Sequence, residues 1–351
     1  MSDAGFDAPT YYRMALAPED RERLPYYAQL VDALANSPTA VQLLGEARPE
    51  QRNPMLVLAA LHYGALRGDR DLAPLYERLA SRTPEEFASR VTAILEARPE
   101  LVREQLWRAT QTNEPGRSAV LAAVLNELHG RGVNDVHLID VGTSMGLNLY
   151  PDYYRINDDE ADDVILTMED LNDNVATSPL PRIHERIGID LNPLDPENPD
   201  DVLWLKACLW PEEPQRARRL DAILQEMVLW PRATRLKGSA VDLIDDALDL
   251  CSPDATPVIF HSWVAAYFSS DEQARWRERI MRHVRTRATW IYFEHPWGVK
   301  GLDPPPRTGE PPRAGATQIV VCEIGEDPAH WGWAHPHGRW VALSPPGVDS
   351  A

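Results

Sequence analysis

The sequence predicts an α/β protein: a helical N-terminal third followed by a mainly parallel sheet with one antiparallel addition. Three observations predict it. Helix-start signals and helically spaced apolar residues fill the first third, and almost no strand pattern interrupts them. From residue 135, short apolar runs alternate with helix-length stretches. A glycine turn, Gly142-Thr143-Ser144-Met145-Gly146, closes the first of those runs. Residues 1–114 are accordingly expected to form a helical cap, and 115–351 a sheet domain.

In the cap, Asn53-Pro54 opens the run Met55 to Leu61, with Asn as a cap and Pro at the first helical position. Thr83-Pro84-Glu85-Glu86 reads as a capping box, and Phe87, Val91, Ile94 and Leu95 follow at helical spacing. Further helices are expected from Pro99 and over 116–129. The sheet runs are Val136–Val141, Arg186–Asp190, Thr234–Gly238, Pro257–His261, Trp290–Glu294, Gln318–Glu323 and Arg339–Leu343. Amphipathic stretches at 216–229, 240–250 and 271–284 separate the middle ones, whereas the last two runs have no long helix between them. Ligands of such sheets sit beyond the carboxyl ends of the strands.

Two stretches read as irregular. Residues 152–173 hold nine acids against one Arg155, without EF-hand spacing or its turn glycine, so an acidic, solvated insertion over about 150–185 is expected. Residues 301–316, with Pro304-Pro305-Pro306 and Pro311-Pro312, read as an extended loop. The 31 Pro of the 351-residue chain suggest many short elements with firm ends.

Charge and composition exclude several functions. With 35 Lys+Arg against 54 Asp+Glu, a net charge of -19 disfavours nucleic-acid and anionic-membrane partners. No apolar run is long enough to span a bilayer. The acidic start, Met1 to Asp7, predicts no signal peptide, and three scattered cysteines agree with a cytoplasmic location. A small-molecule substrate is the better expectation.

The turn Gly142-x-Ser144-x-Gly146 satisfies two motifs. As a nucleophile elbow it makes Ser144 a hydrolase serine. As a nucleotide loop, Asp140-x-Gly142-x-Ser144-x-Gly146 lets the backbone approach a cofactor at a helix start. Everything upstream reads as helical, so the turn follows the first strand, which is the place of a cofactor loop. Asp190, ending the second strand, is placed for ribose hydroxyls. Gly238-Ser239 and His261-Ser262-Trp263 end the next two.

This arrangement resembles, over residues 130–345, the class I S-adenosylmethionine-dependent methyltransferases. The resemblance implies a Rossmann-like, seven-stranded, mainly parallel sheet whose last strand is antiparallel. It also implies S-adenosylmethionine bound by Asp140, Gly142, Ser144, Gly146, Asn148, Asp190, Leu191 and Ser239. Ser144 replaces the usual middle glycine, and the interval from Gly146 to Asp190 is long for the pattern. Nearly the whole chain resembles the bacterial family catalogued as domain of unknown function 2332. The residues concerned are Gln111-Thr112-Asn113-Glu114-x-x-Arg117, Asp140–Leu149, Gly188–Pro193, Trp204-Leu205-Lys206-Ala207, Trp210-Pro211-Glu212, His261-Ser262 and Tyr267. Asp140 stands where Glu is expected and Ser239 where Asp is, whereas Ser144 is usual there. That resemblance implies a methyltransferase-like fold and no particular reaction.

The remaining candidates each have two readings. Gln111, Asn113, Glu114 and Arg117 either cap and brace the helix near Gly116 or face a cofactor carboxylate or substrate. His261 is a general base or a hydrogen-bonded lining residue, with Tyr267 a partner and Glu294 a second acid–base candidate. His330, His335 and His337 lack a ligand set for metal and read as a last-hairpin loop packed with tryptophans. The expected function is methyl transfer from S-adenosylmethionine to a small molecule enclosed by the cap, with no metal. A non-catalytic, methyltransferase-shaped binding or regulatory protein is the alternative, and a hydrolase using Ser144 the third.

Overall fold

The structure, a computed structural model, describes residues 6–157, 165–173, 179–296 and 310–347. The chain divides into two compact units. The first comprises Met1–Thr112 together with Asp195–Leu224; the second comprises Asn113–Leu194 and Gln225–Ala351.

The first unit is helical. The helices Pro18–Arg23, Pro25–Ala35, Pro38–Glu46, Pro54–Leu66, Pro84–Ala97 and Pro199–Ala207 begin on proline, whose fixed φ and missing N–H suit the first helical position. Asn53 caps Pro54–Leu66 by accepting the Met55 N–H at 3.0 Å, and Thr83 accepts the Glu86 N–H at 3.2 Å. Pro54–Leu66 buries Leu56, Val57, Leu58 and Leu61, so it is the central rod of the unit. Residues 195–224, expected with the sheet, group here instead. The helix Pro199–Ala207 buries Trp204, whose indole N–H donates to the Ala109 carbonyl at 2.9 Å. His62 Nδ1 meets the Ala207 carbonyl at 3.1 Å.

Among the described residues the second unit holds eleven strands: β1 (Asp135–Val141), β2 (Arg155–Ile156), β3 (Ile165–Leu166), β4 (Glu169–Asp170), β5 (Arg182–Asp190), β6 (Thr234–Lys237), β7 (Thr256–Ser262), β8 (Thr289–Glu294), β9 (Thr317–Cys322), β10 (Ala329–Ala334) and β11 (Trp340–Leu343). Nine build one sheet in the order β4-β11-β10-β9-β8-β7-β1-β5-β6, and β2 pairs with β3. From β6 to β8 all neighbours are parallel; β9, β10 and β11 then run as an antiparallel meander, with β4 parallel to β11 at the edge.

The expectation of seven strands is therefore corrected to nine. Ala329–Ala334 is a strand rather than a hairpin loop, and it carries His330, Trp331 and Trp333 into the sheet. The insertion also contributes: Glu169–Asp170 joins the sheet because the Glu169 N–H donates to the Arg339 carbonyl at 2.9 Å. The acids at 158, 159, 160, 162 and 163, and Pro304–Pro306, lie outside the described residues.

Helices cover the sheet because strands buried on both faces need apolar partners on each. On one face Ile244, Trp276, Ile280 and Val284 pack with Ile139, Ile187, Ile259 and Trp290. The helix Gly116–Gly130 is buried on nearly all sides, with Val120, Leu121, Val124 and Leu125 inaccessible. Among the described residues, no helix is long and apolar enough to cross a membrane.

Candidate functional site

The parallel strands lie in the order third, second, first, fourth, fifth, so the order reverses between β1 and β7. Sheets of this kind bind ligands in the crevice outside the carboxyl ends at that reversal. Both ends are polar here.

β1 ends in Asp140-Val141 and the chain turns through Gly142 (φ +73°), Ser144 (φ +54°) and Gly146 (φ +88°). β5 anchors this turn. The Gly142 N–H donates to the Ile189 carbonyl at 2.8 Å, and the Ser144 N–H donates to Asp190 Oδ2 at 2.8 Å. Asp190 Oδ1 accepts the Asn192 N–H at 2.7 Å, and the Ser144 carbonyl accepts the Leu194 N–H at 3.0 Å. Gly188 has no side chain because Thr143 packs there; a Cβ would stand 2.5 Å from Thr143 Cγ2. Gly142 is exposed, but its Cβ position is taken by Val264 Cγ2.

The polar segment before the helix braces the turn from the other side. Asn113 Oδ1 accepts the Leu147 N–H at 3.1 Å, and Ser118 donates to Asn148 Oδ1 at 2.9 Å. Glu114 accepts the Gly116 N–H at 3.3 Å. Arg117 donates to the Pro336 carbonyl at 2.9 Å and to the Ser262 carbonyl at 3.3 Å. Gln111 is buried too, but belongs to the helical unit.

His261 and Glu294 sit lower than a strand-end position suggests. Strand alternation turns both toward the apolar face, and each is 1% exposed. His261 stacks on Tyr292 with centroids 5.5 Å apart, and its Nδ1 lies 2.8 Å from Glu294 Oε1. The same oxygen accepts the Val264 and Ala265 N–H groups at 2.8 and 3.1 Å. Glu294 thus holds the segment after β7, where Trp263 has φ +60°. Tyr267 is 58% exposed on the short turn Ala265–Tyr267. Leu191 is 63% exposed, and Ser239, partly exposed, begins the helix Ala240–Asp249 without a side-chain cap bond.

Burial sets the electrostatics. It pushes the Asp140 carboxyl up to about 7, with the Thr143 hydroxyl opposing the rise, Asp190 adding to it and Arg117 opposing it. Burial also raises Asp190, against the Asn192 and Ser144 N–H groups. Six buried polar atoms at the two strand ends have no hydrogen-bond partner among the described residues: Asp140 Oδ2, Thr143 Oγ1, Ser144 Oγ, His261 Nε2, Ser262 Oγ and Trp263 Nε1. Such atoms are uncommon in native interiors and mark places where a ligand or water completes the bonding. Ser262, Trp263 and Val264 were not singled out as site residues by sequence; their signal is position, one strand away from the glycine turn. No group of three or more His, Cys, Asp or Glu among the described residues is arranged to hold a metal.

The fold and this polar crevice define a mixed α/β protein with a mostly parallel sheet and a candidate ligand site at its carboxyl rim. The chain belongs to the family described as uncharacterized protein conserved in bacteria (DUF2332), whose model matches residues 11–342. No curated protein matches the chain.

Proposed function

We propose that the protein transfers a methyl group from S-adenosylmethionine to a small molecule, with the cofactor held by the Gly142–Gly146 turn and Asp190. The observation that carries this reading is the clamp made by Asp190, which binds Ser144 with one oxygen and Asn192 with the other at the end of the second parallel strand. The strand order β6-β5-β1-β7-β8 supports it, being the order of Rossmann-like dinucleotide and methyltransferase sheets. The antiparallel β9-β10-β11 run departs from a single antiparallel last strand.

The residues fit the cofactor's chemistry. Each Asp190 oxygen accepts one N–H, and a carboxylate offers about four lone-pair sites, so capacity remains for ribose hydroxyls. Exposed Leu191 and partly exposed Ser239 would border the adenine, and exposed Gly142 admits close backbone approach. Asp140 Oδ2, buried without a hydrogen-bond partner among the described residues, would meet the amino-acid end. When bound, the sulfonium supplies an electrophilic methyl group. The chain's own contribution would be orientation and water exclusion. His261 and Glu294 serve as positioning residues, fixing the Val264–Ala265 backbone beside the turn.

Calorimetry tests this. S-adenosylmethionine and S-adenosylhomocysteine should both release or absorb heat on binding. Leu191→Asp should weaken that binding about tenfold or more while leaving Tm unchanged, since the side chain is exposed. No heat and no thermal shift at millimolar ligand would sink the reading.

A non-catalytic binding protein is the second reading. It is favoured by the engagement of His261 and Glu294 with each other in the core, which leaves neither as a solvent-facing base. A hydrolase using Ser144 draws on the positive φ of that residue, as in a nucleophile elbow. It requires an imidazole on Ser144 Oγ, which has no partner among the described residues.

A further inference from the structure

We propose that the methyl acceptor is a small carboxylate, held at the ends of β1 and β7 by Ser144, Ser262, Trp263 and Arg117 and methylated on oxygen. The proposal rests on the methyl-transfer reading above and names its substrate class.

The donor inventory carries it. Ser144 Oγ, Ser262 Oγ and Trp263 Nε1 are buried without partners among the described residues, and an indole N–H can only donate. The β1–β7 register pairs Asp140 with Phe260, so alternation puts Ser262 on the same face as Asp140, two positions further on. Arg117 joins the two, donating to the Ser262 carbonyl and attracting Asp140. It stands in the first turn of Gly116–Gly130, where the helix end favours an anion as well.

Trp263 is positioned at a cost. A bulky residue at φ +60° is a genuine outlier, and surrounding structure must hold it there. Its own N–H donates to the Phe293 carbonyl at 3.1 Å, and Glu294 fixes the two residues that follow. The strain is explained if the indole N–H must point at a bound acceptor atom.

The carboxylates near this spot do not oppose an anion as three ionised acids would. Burial raises Asp140 to about 7, so its ionised form is disfavoured there. Asp190 has both oxygens on backbone N–H groups, and Glu114 turns back on the Gly116 N–H.

The chemistry agrees with the burial of His261 and Glu294, neither of which faces solvent as a base. An amine or alcohol acceptor must lose a proton; a carboxylate has none to lose. A carboxylate oxygen lone pair forms the new O–CH3 bond, the S–CH3 bond breaks, and its electron pair returns to sulfur. The products are a methyl ester and S-adenosylhomocysteine, with no proton released.

The test uses the full chain with methyl-tritiated S-adenosylmethionine and four acids (acetate, succinate, hexanoate and benzoate) beside their amides. Alkali-labile, volatile label with an acid and none with its amide is the expected result. The acids should also raise Tm in the presence of S-adenosylhomocysteine. Ser262→Ala and Trp263→Phe should each weaken the acid about tenfold, with Tm and S-adenosylhomocysteine affinity unchanged. A merely structural role would lower Tm instead, and that overturns the proposal. Alkali-stable label overturns it alone, and so does S-adenosylhomocysteine binding with neither label nor Tm rise for any acid. Acid binding without any S-adenosylhomocysteine heat overturns the methyl-transfer reading and the proposal together.

Discussion

Asp140 is the residue whose protonation is most altered by the fold. Its carboxyl, 3% exposed, is pushed up to about 7 by burial, from an ordinary value near 3.8. The folded state therefore holds a proton that the unfolded chain releases between about pH 4 and 7. Stability attributable to this residue is present below that window and falls as pH rises through it, by roughly 4 kcal/mol at most. Burial raises Asp190 as well, which gives the same sign. Asp140→Asn should have a higher Tm than the parent at pH 8 and nearly the same Tm at pH 4. Thermal melts across that range check it, and equal Tm differences at both ends would contradict the assignment.

At the scale of elements, the turn after β1 and the segment after β7 are built against each other. A Cβ on Gly142 would overlap Val264 Cγ2, and its φ of +73° is unfavourable for any L-residue. Gly142→Ala should cost about 2–4 kcal/mol, combining left-handed strain with overpacking. In a Val264→Ala background the same change should cost about 1–2 kcal/mol less, because only the strain remains. Denaturant unfolding of the two single variants and the double variant measures this coupling. Additive costs would mean that the two segments do not meet.

Elements with strong local signals were legible in the sequence, and those defined by partners were not. The prolines and caps at Asn53 and Thr83 marked helix starts, and the glycine turn marked the end of β1, because these depend on neighbours in the chain. β10 escaped because Ala-His-Trp-Gly-Trp-Ala contains no β-branched residue and a central glycine; its strand state comes from pairing with β9 and β11. His261 looked like a rim base because it ends an apolar run. Alternation turns its ring onto Tyr292 instead, a distinction that depends on which face the helices cover. Ser262 and Trp263 follow His261 at the end of one apolar run, but their unmet hydrogen bonds show only in the folded chain.

For the molecule as a whole, the -19 charge is a general property rather than a feature of the crevice, where Arg117 stands beside Asp140 and burial disfavours the ionised carboxyl. Like charges spread over one compact chain repel, and added salt screens them within about 10 Å at 0.1 M. Tm should rise between 20 and 300 mM sodium chloride at pH 8. An unchanged or falling Tm would mean that the ion pairs such as Arg186–Asp152 and Arg98–Asp69, which salt weakens, outweigh the repulsion.

The edge strand β4 has a consequence for the order of folding. Glu169 and Asp170 lie next to Trp340 and Val341, although most of the sheet domain separates them in the chain. That pairing closes a long loop, so its entropic cost is met only after β8 to β11 have assembled. On a ribosome, the acidic segment emerges long before the strand it joins. It must wait undocked until the last residues of the sheet are synthesised. A chain ended before residue 340 lacks that strand, and β4 would then be left without its partner.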